Sequence, residues 1–126
     1  NLIWLFAILP TTTASLEAVV QMQLEAYNAR DIDAFMDTYA DSIAIYEFPN
    51  TLIMKGKQDL RDTYTKLFNE VTNLRAEIKH RVVLDNRVID HEYVRFGGKY
   101  IDAVAIYEVA EGKITRVTFV QKANSD

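Results

Sequence analysis

The chain has 126 residues, 49% of them hydrophobic and 25% charged, a length and balance that give one globular domain with material for a core and argue against a disordered chain. A net charge of −4 lacks the cationic footprint that a nucleic-acid partner requires. The absence of cysteine removes disulfides, thiol catalysis and thiolate metal sites, and fits a cytoplasmic or an exported protein equally.

The first ten residues, NLIWLFAILP, form an apolar run in which Leu2 to Leu9 are too few to span a bilayer. Residues 1–14 read either as the remnant of a secretory signal, with Thr12 and Ala14 as small residues before a cut, or as an extension that packs on the domain or a neighbouring subunit. Residues 15–126 form the single domain. Leu16, Val19, Val20, Leu24 and Tyr27 recur at helical spacing, so a helix is expected from about Thr13 to Ala29. Asp31 caps a second, short helix with Ile32, Phe35, Met36 and Tyr39 on one stripe. Ser42 to Phe48 reads as a strand closed by Pro49, and Gly56 precedes a third helix with Leu60, Tyr64, Leu67, Phe68 and Val71 inward.

The period then changes. Residues 75–84, 88–96, 99–109 and 114–122 are rich in Val, Ile and Tyr. The dipeptides Asp85-Asn86, Gly97-Gly98 and Glu111-Gly112 between them suit two-residue hairpin turns. The fold class is therefore α+β, with helices on one side of a curved antiparallel sheet.

Two-residue turns at all three hairpins sort the strands into two faces. One carries His80, His91, Tyr93, Asp102, Phe119 and Gln121 and is expected to line a cup; His80 and His91 are cross-strand neighbours there, as are Tyr93 and Asp102. The other carries Ile101, Ala103, Ala105, Tyr107 and Val120, a largely apolar patch expected on the outer side of the sheet, where two copies would pair. Asp90, Glu92 and Arg116 are expected toward the rim of that patch.

The element order, together with VVQMQLEAYNARDIDAFMDTYADSIAIYEFP, resembles the SnoaL-like and ketosteroid-isomerase branch of the nuclear-transport-factor-2-like superfamily. The resemblance covers nearly the whole chain after Ala14, and the steroid isomerases fit best from about Val19 to Tyr64. It implies a cone-shaped, cystatin-like roll in which a curved sheet wraps three N-terminal helices around a pocket, with pairing through the outer sheet face. It places Glu47 where the isomerases keep a proton-shuttling aspartate, and Tyr39 and Tyr64 where some keep supporting tyrosines. Gln23 falls where the oxyanion-hole tyrosine should be, and Ile106 about where a protonated aspartate should be. Those departures argue against a standard steroid isomerase.

Glu47 shares a strand face with Ile43 and Ile45. If that face is dry, burial disfavours the charged form and makes the carboxylate a base or acid usable near neutral pH. The expected catalytic set is Glu47, His91, Tyr93 and Asp102; the expected pocket residues are Gln23, Tyr27, Tyr39, Tyr64, His80, Phe119 and Gln121. Glycine-rich phosphate loops, zinc motifs and a nucleophile elbow are absent, so neither a cofactor nor a metal is expected. Two functions stay open: a small isomerase-, cyclase- or hydratase-like enzyme on a small hydrophobic carbonyl or enol compound, and a non-catalytic ligand-binding or dimerisation module.

Overall fold

A computed structural model describes residues 13–121; residues 1–12 of the expected extension and residues 122–126 of the expected domain, with the end of the strand expected over 114–122, lie outside the described residues. The order is α1 (Thr13–Ala29), α2 (Ile32–Asp37), β1 (Tyr39–Glu47), β2 (Thr51–Lys55), α3 (Lys57–Glu70), β3 (Arg75–Leu84), β4 (Arg87–Phe96), β5 (Lys99–Ala110) and β6 (Lys113–Gln121). The six strands form one sheet in the order β2-β1-β6-β5-β4-β3, with β1 parallel to β6 and the other pairs antiparallel. This is the expected three-helix, curved-sheet class. Strand β2 was not expected: five residues between a turn and Gly56 carry little periodic signal.

Local chemistry explains the element ends. Asp31 caps α2 by accepting from the Ala34 amide at 3.1 Å. Asp85 and Glu111 take positive φ in the hairpin turns, at 56° and 54°, the geometry two-residue loops need. Asn28 on α1 bonds both backbone groups of Ala76 in β3, donating to its carbonyl at 3.0 Å and accepting from its amide at 2.8 Å. That clamp sets α1 across β3 and β4, while α3 lies over β1 and β2.

The helices cover one face only. Leu16, Val19 and Val20 of α1, Phe35 of α2 and Leu60 of α3 meet Val88, Ala105, Tyr107, Val109, Ile114 and Val117 from the sheet. Phe35, fully buried, has ring centroids 5.0 Å from Tyr39, 4.7 Å from Tyr64 and 5.5 Å from Phe68. Such aromatic pairs contribute about 0.5–1.5 kcal/mol each beyond the area they bury.

The covered face is the reverse of the one expected. The β4–β5 register holds as read, with Tyr93 opposite Asp102 and Phe96 opposite Lys99, but Asp90, Glu92, Ala103, Ala105 and Tyr107 are buried. Thus Ala103, Ala105 and Tyr107 lie under the helices, and Ile101, opposite Val94, follows them; they do not form an outer patch. Two bulges complete the correction. Between Ile78 and His80 the β3–β4 register shifts by one residue, so Ile78 opposes Glu92. Between Glu108 and Val109 the β5–β6 register shifts, with Val109 opposite Ile114 and Glu108 opposite Arg116, so Thr115 is the extra residue. Val117 and Phe119 therefore sit opposite Tyr107 and Ala105 on the covered face, and Val120 pairs with Val104 on the open one. A one-residue slip moves every later side chain to the other side.

Candidate functional site

Between α1, α3 and the covered face lies a cavity of about 170 Å³. Helix α1 supplies Gln23, Leu24 and Tyr27, Tyr39 enters from the start of β1, and Tyr64 comes from α3. The sheet contributes Glu92, Val94 and Phe96 from one strand and Ile101, Ala103 and Tyr107 from its neighbour. Phe119 and Gln121 of β6, with Ala76, complete the wall. The small side chains of Ala76 and Ala103 leave the space that larger residues would fill. Among the described lining residues, Glu92 is the sole carboxylate and there is no Lys, Arg or His.

Glu92 is 7% exposed and accepts a hydrogen bond on Oε1 from the Tyr107 hydroxyl at 3.1 Å. No described side chain donates to Oε2, and the Glu92 carboxyl forms part of the cavity wall. Burial pushes the carboxyl up to about 7; the Tyr107 bond opposes that shift, the neighbouring Asp90 adds to it, and Arg81 opposes it. The phenols of Tyr27, Tyr39, Tyr64 and Tyr107 are all raised by burial, so they stay protonated donors at neutral pH. Gln23, itself 6% exposed, bonds the Tyr39 hydroxyl.

Beside Glu92 on the same face, Asp90 is met by a guanidinium. Arg81 donates to both carboxylate oxygens, Nε at 2.7 Å and Nη2 at 2.9 Å, and its Nη1 reaches Gln21 at 3.0 Å. The fork geometry satisfies Asp90 completely. This pair is not part of the cavity wall.

The expected site residues divide. Gln23, Tyr27, Tyr39, Tyr64, Phe119 and Gln121 come together around the cavity. His80, His91, Tyr93 and Asp102 do not: they stand on the open face. There His91 Nε2 bonds Asp102, the His80 and His91 rings stack at 6.0 Å between centroids, and Tyr93 stacks on Tyr100 at 4.7 Å. Glu47 pairs in register with Phe119, but it ends β1 exposed to solvent and outside the cavity wall. The expectation of a dry acid at that position is corrected: β1 has run beyond the cover of the helices. Ile106 is half-buried opposite Ile89 and Thr118.

Sequence reasoning missed Glu92 as a site residue. Its signal was present: Asp90 and Glu92 share a face with Val88 and Val94, opposite the small Ala105 and Ala103. Two acids on an otherwise apolar strand face mark an enclosed polar feature rather than a rim.

Among the described residues no group of three or more His, Asp or Glu side chains could hold a metal ion, and no helix is long and apolar enough to cross a membrane.

The three helices on one curved six-stranded sheet define a protein of the nuclear-transport-factor-2-like, cystatin-fold class, and solved structures agree. An uncharacterised cystatin-fold protein from Novosphingobium aromaticivorans superposes with a TM-score of 0.76 at 24% identity, covering 85% of this chain and 97% of that one. A SnoaL-like protein of unknown function from Burkholderia thailandensis gives 0.77 at 17% identity over 91% of this chain and 100% of that one. An LEH-like epoxide hydrolase from M. tuberculosis gives 0.74 at 17%, over 90% and 86%. Residues 20–117 match the SnoaL-like domain family, and the chain belongs to it. No curated protein matches the sequence.

Proposed function

We propose that the Glu92 cavity is the working site of a cofactor-independent acid–base enzyme acting on a small, neutral, hydrophobic carbonyl or enol compound. The observation that carries this reading is a buried carboxyl in the wall of an apolar and aromatic cavity, bonded by one phenol and with its proton affinity raised by burial. A general base works best with its pKa close to the working pH. In the simplest step Glu92 Oε2 takes the proton α to the carbonyl, the C–H pair moves into the C–C bond, and the carbonyl oxygen becomes an enolate oxygen. Neutral phenols and the Gln23–Tyr39 pair are the donors available to that oxygen. Returning the proton to the same or another carbon completes exchange or isomerisation. The acid expected from the resemblance, Glu47, has no part in this step.

The test is deuterium exchange at the α-carbon of 4-methylcyclohexanone in D₂O, followed by NMR. Exchange above the buffer rate is expected, rising with pH through an apparent pKa near 7 and falling at least ~100-fold in Glu92→Gln, the scale of a lost acid–base catalyst. Binding without exchange would instead favour a non-catalytic ligand-binding module. Pairing of two copies is also proposed, through the open face where Ile89, Val104, Ile106 and Val120 are half-buried and Val82 and Leu84 are 55% and 64% exposed. A monomer in sedimentation at micromolar concentration would remove that part.

A further inference from the structure

The Glu92 cavity, at about 170 Å³, is smaller than the roughly 300–1,000 Å³ of pockets that enclose a whole drug-sized ligand. It has room for about a single ring, since a 150 Å³ cavity accepts benzene. Tyr64 and Phe96 are part of its lining, and the same two residues line a neighbouring groove of about 330 Å³. Cavity and groove together reach the size of a ligand pocket, which the cavity alone does not.

The groove is apolar where it matters. Ile45 and Met54 form its sheet side and Leu67 and Val71 its α3 side, while Lys66 and Glu70 are exposed at its margin. Phe96, at the end of β4, is 38% exposed although it lies on the covered face. Next to it, the Gly97 amide donates to the Thr72 carbonyl at 2.9 Å and ties the hairpin to the loop after α3.

We propose that this groove is the tail subsite of the Glu92 pocket, and that the ligand is a neutral amphiphile. Its single-ring, carbonyl-bearing head occupies the cavity, and an alkyl chain passes Tyr64 and Phe96 to lie along α3. The assignment rests on the Glu92 reading and names its ligand class. An anionic head is disfavoured, because the cavity wall has a carboxylate and no cation among the described residues. An apolar chain is favoured, because it removes Met54, Leu67, Val71 and Phe96 from water together.

The experiment is isothermal calorimetry with 4-alkylcyclohexanones of increasing chain length, from methyl to hexyl, on the wild-type protein, Val71→Glu and Val71→Trp. Affinity in the wild type is expected to rise up to about fourfold per methylene, the value for full burial. Both variants, checked for folding by circular dichroism, should flatten that rise while binding 4-methylcyclohexanone as before. A flat series in the wild type, with the methyl compound still bound, overturns the tail subsite and leaves the Glu92 site standing. An unchanged rise in both variants places the chain elsewhere and also overturns it. Failure of every member to bind overturns the subsite and the Glu92 site together. A change of oligomeric state in Val71→Glu assigns the groove to a second copy and overturns it likewise.

Discussion

Asp90 and Glu92 stand two residues apart on the same strand, face the same way and are both buried, 1% and 7% exposed. Their partners differ in kind. Asp90 has a two-pronged guanidinium from Arg81; Glu92 has a single neutral phenol. A carboxylate with a bidentate cation is electrically satisfied and serves to hold β3 on β4. A carboxylate with one phenol alone retains its desolvation cost, and its proton affinity rises to match. Equal burial therefore yields a strut at one position and, two residues on, a carboxyl whose proton affinity is raised. The deciding variable is the counter-ion, not the depth.

The largest effect expected from breaking this contrast is at the strut. Asp90→Ala leaves Arg81, whose side chain is 17% exposed, without its partner; about 3 kcal/mol of stability should be lost in urea unfolding. A loss under about 1 kcal/mol would mean that Arg81 relaxes into water and the pair is no strut.

Next comes the dependence of stability on pH. The folded-state pKa of Glu92 is raised, so between about 4.5 and 7 the folded chain binds this proton more tightly than the unfolded chain. The contribution of Glu92 is greatest at and below the unfolded value and declines as pH rises to about 7, by on the order of 2–3 kcal/mol. Glu92→Gln should remove that part of the slope. Urea midpoints measured from pH 4.5 to 7.5 on both proteins check it, and identical slopes would place Glu92 in a wetter setting than its burial indicates.

The smallest effect sharpens the comparison from the other side of the sheet. Asp102 bonds His91 on the open face, and its side chain is 59% exposed. Asp102→Ala should cost no more than about 0.5 kcal/mol and leave the Glu92 titration, followed by ¹³C NMR, unmoved. A displaced titration would show that the two faces communicate through β4.

Much of this architecture was legible in the residues. The 3.6-residue stripes of α1, α2 and α3 and the turn dipeptides at Asp85, Gly97 and Glu111 placed nearly every element within a few residues, because periodicity and positive φ are local properties. Which face of the sheet was dry was not local. Val, Ile and Tyr occur on both sides, and Ala103 and Ala105 suit a close sheet contact as well as the space beneath a helix. The two bulges, between Ile78 and His80 and at Thr115, follow from how the curved strands meet across the sheet, which no single strand's pattern reveals. The site followed the same division. Tyr27 and Tyr64 stand on apolar helical stripes and Gln23 enters through the resemblance, whereas Glu92 reads as a rim residue whenever its strand face is placed outside. Position 47 drew attention through resemblance, yet the end of β1 lies where the helices no longer shelter it.

The amide of Asn28 occupies both backbone groups of Ala76 on the free margin of the sheet. A strand arriving from another molecule would find neither the N–H nor the C=O of that residue available, so lateral growth by strand addition is blocked at that end of β3. One side chain thus acts as a stopper against edge-to-edge association. Asn28→Ala would uncover the margin next to the cavity wall, where Ala76 is also a lining residue, linking resistance to aggregation with the integrity of the pocket.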